Sequence, residues 1–128
     1  MTQRQFLQEC KRITKIWNKW RPILGLSEWD IKLHFYEDVD EEDPDVEAWA
    51  HASFEYIRAD LHFIIPKTIT QTLDELEEIV VHEACHIVVK ELQDWNTCGC
   101  KDQFDMKREE RVVTMLSRAF IRVQGIKK

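Results

Sequence analysis

Apolar positions recur along this chain with two periods, and the switch between them marks out its elements. Phe6, Cys10, Ile13, Trp17 and Trp20 return at helical spacing after a Thr2/Gln5 pair able to form a capping box, which predicts an amphipathic helix over residues 3–20. Pro22 and Gly25 are expected to end it. Residues 29–37 alternate Ile31, Leu33 and Phe35 against polar neighbours, as a half-buried strand does. Residues 48–57 and 59–66 read as two further strands around a tight connection near Arg58, although their alternation is too imperfect to assign faces. A Thr72/Glu75 capping box then opens a long helix over Leu73 to Gln93, with Asp74, Glu75, Glu77 and Glu78 at the positive end of its dipole. The second half of that helix is apolar nearly all round, which marks it as central. A last helix over 103–123 carries Met106, Val112, Val113, Leu116, Ala119, Phe120 and Val123 on its apolar side. The order of elements predicts an α+β fold: an N-terminal helix, a small three-stranded sheet, a central helix and a C-terminal helix. The length of 128 residues suits a single domain over 1–128.

Composition narrows the function classes. A net charge of −6 argues against nucleic acid as the main partner, because phosphate binding needs a concentrated basic face. No apolar run approaches membrane length and the first segment is too polar for a signal peptide, so a membrane partner is not expected. The expected location is cytoplasmic, in the source cell or in a host cell if the chain is phage-encoded. The first helix has a basic outer face, Arg4, Lys11, Arg12, Lys15 and Lys19, which reads as solvated. Between residues 37 and 47 stand eight acids in eleven positions, a run that repels itself and reads as a solvated loop. Placed near a cleft, it would bias binding toward basic substrates. Four cysteines, Cys10, Cys85, Cys98 and Cys100, do not make a disulfide framework at this length and read as reduced thiols.

The chemistry concentrates in Val80-Val81-His82-Glu83-Ala84-Cys85-His86-Ile87-Val88-Val89, an HExxH motif inside an apolar run. Helical periodicity carries His82 and His86 to one face, where both imidazoles can bind one Zn2+ ion with Glu83 beside them as general base. An ionisable residue among valines and isoleucines is costly unless it is paired or metal-bound. The competing reading is a buried helix whose two histidines hydrogen-bond to backbone or carboxylates. His34, His51 and His62, on the predicted strands, read as surface residues, with extra metal ligands or transition-state donors as the alternatives.

Two histidines on one helix and a glutamate on a later helix resemble the gluzincin clan of zinc metallopeptidases, and the order of elements looks most like the compact minigluzincins and related phage or prokaryotic domains. The likeness covers most of residues 29–120, and its specific part is His82-Glu83-Ala84-Cys85-His86 with Glu109-Glu110-Arg111-Val112-Val113. The resemblance implies a zincin-like fold and a peptidase acting on a peptide or protein substrate. In it His82, His86 and Glu109 are the metal ligands, Glu83 is the catalytic base and acid, and one strand pairs with an extended peptide. Helix phase agrees on Glu109, which shares a face with Val112, Val113 and Leu116, whereas Glu110 aligns with Thr114 and Ser117. Candidates for the oxyanion donor are Tyr36, Tyr56 and the strand histidines. The alternative function is a non-catalytic, metal-stabilised binding module, which would have no need of Glu83.

Overall fold

The computed structural model describes residues 1–96 and 106–126, and Cys98 and Cys100, read from the sequence as reduced thiols, lie outside them. Among the described residues four helices, one of them a single turn, combine with a three-stranded mixed sheet in an α+β arrangement. The first helix, α1, spans Gln3–Ile23 and opens with the expected capping box: Gln5 N donates to Thr2 Oγ1 at 3.1 Å and Thr2 N donates to Gln5 Oε1 at 2.7 Å. It continues through Pro22, three residues beyond the expected end. A proline this late removes one amide of the last turn only, and the helix stops at Gly25, whose φ of 73° is left-handed. Ile13, Ile16, Trp17 and Trp20 form its buried stripe.

Strand β1 covers Asp30–Tyr36, β2 Ala48–Ser53 and β3 Arg58–Ile64, in the spatial order β1-β3-β2. The β1–β3 pairing is parallel, with Leu33 opposite Leu61, and β2–β3 is antiparallel, with Ala50 opposite Leu61. The acidic run 37–47 therefore crosses the end of β3 to reach the far edge of the sheet. The β2 strand ends earlier than its pattern suggested, in a 3-10 turn over Phe54–Tyr56 followed by Ile57 at φ 52°. β3 also ends before Ile65 and Pro66, which start the one-turn helix α2, Ile65–Thr68, because proline fits an N-terminal helical position where its missing amide is not needed. One sheet face presents Ala59, Leu61 and Phe63 to the core with Ile31, Leu33, Phe35, Ala48, Ala50 and Ala52 packed around them. The other face carries Lys32, His34, Tyr36, Trp49, His51, Asp60 and His62.

Helix α3, Leu73–Asn96, crosses the covered face and packs against α1, β2 and the last helix, α4, Met106–Ile126. Leu76, Val80, Val81, Ala84, Cys85 and Ile87 are fully buried, as expected of a central helix. Its capping box forms through Thr72 Oγ1 and Glu75 Oε1. Trp20 Nε1 and Lys19 Nζ both donate to Glu77 Oε2, at 2.9 and 3.0 Å, and tie α1 to the start of α3. Among the described residues no helix is long and apolar enough to cross a membrane.

A second tie is charged. Glu9 is 4% exposed, and Arg12 donates to both its oxygens at 2.7 and 3.1 Å and to the carbonyls of Thr68 and Gln71. Removing one partner strands the other, and a buried carboxylate without its counter-charge is costly. Arg12→Ala is expected to lower unfolding free energy by about 2–3 kcal/mol, below the range for a fully buried pair because Arg12 is partly exposed. Adding Glu9→Gln should recover part of the loss, and urea titrations of the single and double variants check both effects.

Candidate metal centre

The HExxH helix presents its polar residues on the side of α3 that faces α4 and the free edge of β2. His82 and His86, one turn apart, meet edge to face with ring centroids 5.1 Å apart. Both rings are largely buried, which the apolar flanks dictate. The group is completed from α4 by Glu110: Oε2 lies 3.1 Å from His82 Nε2, and Oε1 lies 2.8 Å from His86 Nε2. One ligand atom from each of the three lies within 4.8 Å of the others, and this is the only such group among the described residues. Donors sharing a tetrahedral ion at Zn–N bond lengths stand about 3.3 Å apart, and two nitrogens with one carboxylate are a donor set typical of catalytic zinc. The residues fit a metal ion; which metal is a separate matter.

The third position is where the geometry departs from the expected set. Glu110, not Glu109, joins the two histidines, while Glu109 Oε1 stands 3.7 Å from His86 Nδ1, on the opposite edge of that ring. The reason lies in how α4 is turned. The sequence reading took Val112 as inward-facing, but Val112 is 40% and Met115 63% exposed, whereas Val113 and Ser117 are buried. Ser117 can sit inside because its hydroxyl donates to the Thr114 carbonyl at 3.0 Å and its small side chain lets α4 approach α3. The inward line thus runs through Val113 and Ser117 and brings both glutamates to His86, one on each side.

Glu83 is 9% exposed and lies 3.9 Å from His86 Nε2. Burial, with the nearby charges of Glu110 and Glu47, pushes its pKa up to about 8. Burial also lowers the pKa of His82, against the opposing pull of Glu110. The Cys85 thiol, turned into the core, is pushed up to about 12 and plays no part in the polar group.

These side chains floor a cleft of about 410 Å3 lined by α3 (Glu83, His86, Ile87, Lys90), α4 (Glu109, Glu110) and all of Ala48 to Ala52 on β2. Of the suggested oxyanion donors, His51 lines the cleft; Tyr36 bonds His62 Nδ1 at 2.8 Å on the open sheet face, and Tyr56 is two-thirds exposed at the turn. His34 pairs with Asp60 at 2.7 Å on that same open face. The cleft wall contains residues that sequence reasoning passed over. Ala48-Trp49-Ala50-His51-Ala52 places small side chains on the helix side and large ones on the other, a signal that was visible in the alternation itself. With Ile64 N donating to the Glu47 carbonyl, the two-residue repeat of an antiparallel ladder turns the amides of Ala48, Ala50 and Ala52 to the unpaired edge.

In metal-free protein the sign of the Glu83 contribution follows from its shift. The folded carboxyl keeps its proton up to about 8 and the unfolded one loses it near 4.5, so the folded state binds more protons between these values. Its share of stability is therefore complete below about 4.5 and falls as pH rises to about 8, whereas that of His82 runs the other way, being lost as pH drops below 6.5. Glu83→Gln, measured in chelator by urea titration across this range, is expected to flatten the decline on the alkaline side. An identical pH profile for variant and parent would mean that Glu83 titrates as an ordinary solvated carboxylate.

No protein-family model, curated protein or solved structure matches the chain in comparison with known proteins.

Proposed function

We propose that the chain is a zinc-dependent peptidase of the gluzincin type, with His82, His86 and Glu110 as ligands and Glu83 as general base. The observation that carries this reading is the position of Glu83: a nearly buried carboxyl beside a two-histidine, one-glutamate group, on the floor of a cleft walled by an unpaired strand edge. A binding site for metal alone has no use for that carboxyl, whose burial is costly. Zinc held there would supply Lewis acidity, polarising a carbonyl and acidifying water. A cation held beside Glu83 would favour its ionised form, which would accept a proton from the attacking water and return it to the departing amine. Glu109 stands 3.7 Å from the far nitrogen of His86, and a small approach on metal binding would let it accept from Nδ1 and orient the ring. The outward amides of β2 would hold an extended peptide by strand addition, and this assigns to β2 the role that the family resemblance left to an unnamed strand.

Two expected outcomes test the assignment. Glu83→Gln should leave zinc content and melting temperature of the loaded protein nearly unchanged and abolish cleavage of an unfolded protein substrate. Equal cleavage by variant and parent would refute the mechanism, and failure of both to cleave a broad peptide library would favour the binding-module reading. Separately, Glu110→Ala should weaken zinc affinity by more than about 100-fold, and Glu109→Ala by roughly 10 to 100-fold, as for loss of a group that only orients a ligand. Competition titrations with a chromophoric chelator give the ranking, and the reverse order would return the third ligand position to Glu109.

A further inference from the structure

The cleft has an aromatic lip. On the open face of the sheet three rings stack across the strands in the order β1-β3-β2: His34 on His62 with centroids 4.6 Å apart, and His62 on Trp49 at 4.5 Å and 7°. Tyr36 lies against the indole as well, at 5.3 Å and 21°, and its hydroxyl bonds the His62 ring. Both partners come from the inward side, so the stack covers one face of Trp49 and leaves the other turned to the unpaired edge of β2. Trp49 remains 39% exposed for a side chain of that size and lines the cleft. Its inward face is buttressed by His62 and Tyr36. The run of eight acids over 37–47 feeds directly into this strand, its last member, Glu47, immediately preceding Ala48 at the start of β2. Among the described residues that line the cleft, Lys90 is the one lysine or arginine.

We propose that Trp49 is a specificity-determining platform: a peptide strand paired with β2 lays an arginine or lysine side chain on the open indole face, within the negative field of residues 37–47. This rests on reading the cleft as a peptide site. The chemistry is that of a cation over an aromatic face, strongest for tryptophan, with the acidic run favouring cations over neutral aromatic side chains, which could stack equally well. A side chain reaches this face from every second residue of the added strand, so one basic residue in the right register suffices.

The test measures binding separately from cleavage. Full-length protein carrying Glu83→Gln and saturated with zinc is titrated into fluorescein-labelled extended peptides that differ at one central position, Arg, norleucine, Phe or Glu, with anisotropy as readout. The Arg peptide is expected to bind about tenfold tighter than the norleucine peptide. Trp49→Ala should remove that difference while leaving norleucine binding in place, and Trp49→Phe should keep part of it. Asp43→Asn with Asp45→Asn, which leaves the platform intact, should reduce the Arg preference and its sensitivity to salt. Equal affinity for Arg and norleucine, a preference for Phe over Arg, or an Arg preference unchanged in Trp49→Ala would overturn the proposal. An active parent enzyme with no Arg preference rejects the platform and keeps the peptidase; a Trp49-dependent Arg preference in a chain that cleaves nothing does the reverse.

Discussion

Everything else in this molecule is arranged around the difficulty of keeping His82, Glu83 and His86 on its most buried helix. Desolvation penalises the charged forms of His82 and Glu83, and the surrounding valines and isoleucines offer no side-chain hydrogen bonds in return. The structure meets this with a carboxylate from another element: Glu110 stands within reach of both imidazoles, and Glu109 sits behind one of them. That requirement sets how α4 must lie on α3, why the small Ser117 is inside, and why Val112 and Met115 are left in solvent. The alanines of β2 serve the same end, since larger side chains at 48, 50 and 52 would fill the space above Glu83 and His86.

The parts of the fold readable from the sequence are those fixed by neighbours a few residues away. Both capping boxes, the apolar stripe of α1 and the central character of α3 follow from spacings of three and four, and each forms as expected. The placement of β3 between β1 and β2 could not be read, because it depends on a parallel pairing between segments separated by another strand. Pro66 misled the reading of the third strand, being tolerated at a strand's end and favoured at a helix's start. The metal group was half legible: the two histidines share one turn of one helix, but the choice between Glu109 and Glu110 hung on which face of α4 turns inward. Counting apolar residues pointed to Val112, and a buried serine whose hydroxyl bonds its own helix cannot be told from a surface serine by type.

The open face of the sheet shows the limit from the other side. His34, His51 and His62 carry no helical spacing and no flanking motif, so in the sequence they are isolated polar residues. Pairing puts His34 opposite His62 and Trp49 opposite His62, and the isolated residues become one stack beside the cleft. Of the strand histidines, His51 alone reaches the cleft wall.

The way α4 is held on α3 has a thermodynamic consequence. Val113 is fully buried, and Leu116, Phe120 and Ile121 pack on the core further along α4, so apolar packing holds the helix from Val113 onward while the two glutamates meet His86 one turn earlier. Any ion gripped by His82, His86 and Glu110 is then a cross-link, closing a loop from α3 to α4 in the folded state alone. Its affinity becomes conformational stability by linkage, and that stability is delivered locally, to the docking of one helix on another. Chelation would loosen the glutamate-bearing turn of α4 before it disturbed the sheet, and hydrogen exchange would register the site's occupancy in the amides around Glu109 and Glu110 while those of β3 stayed protected.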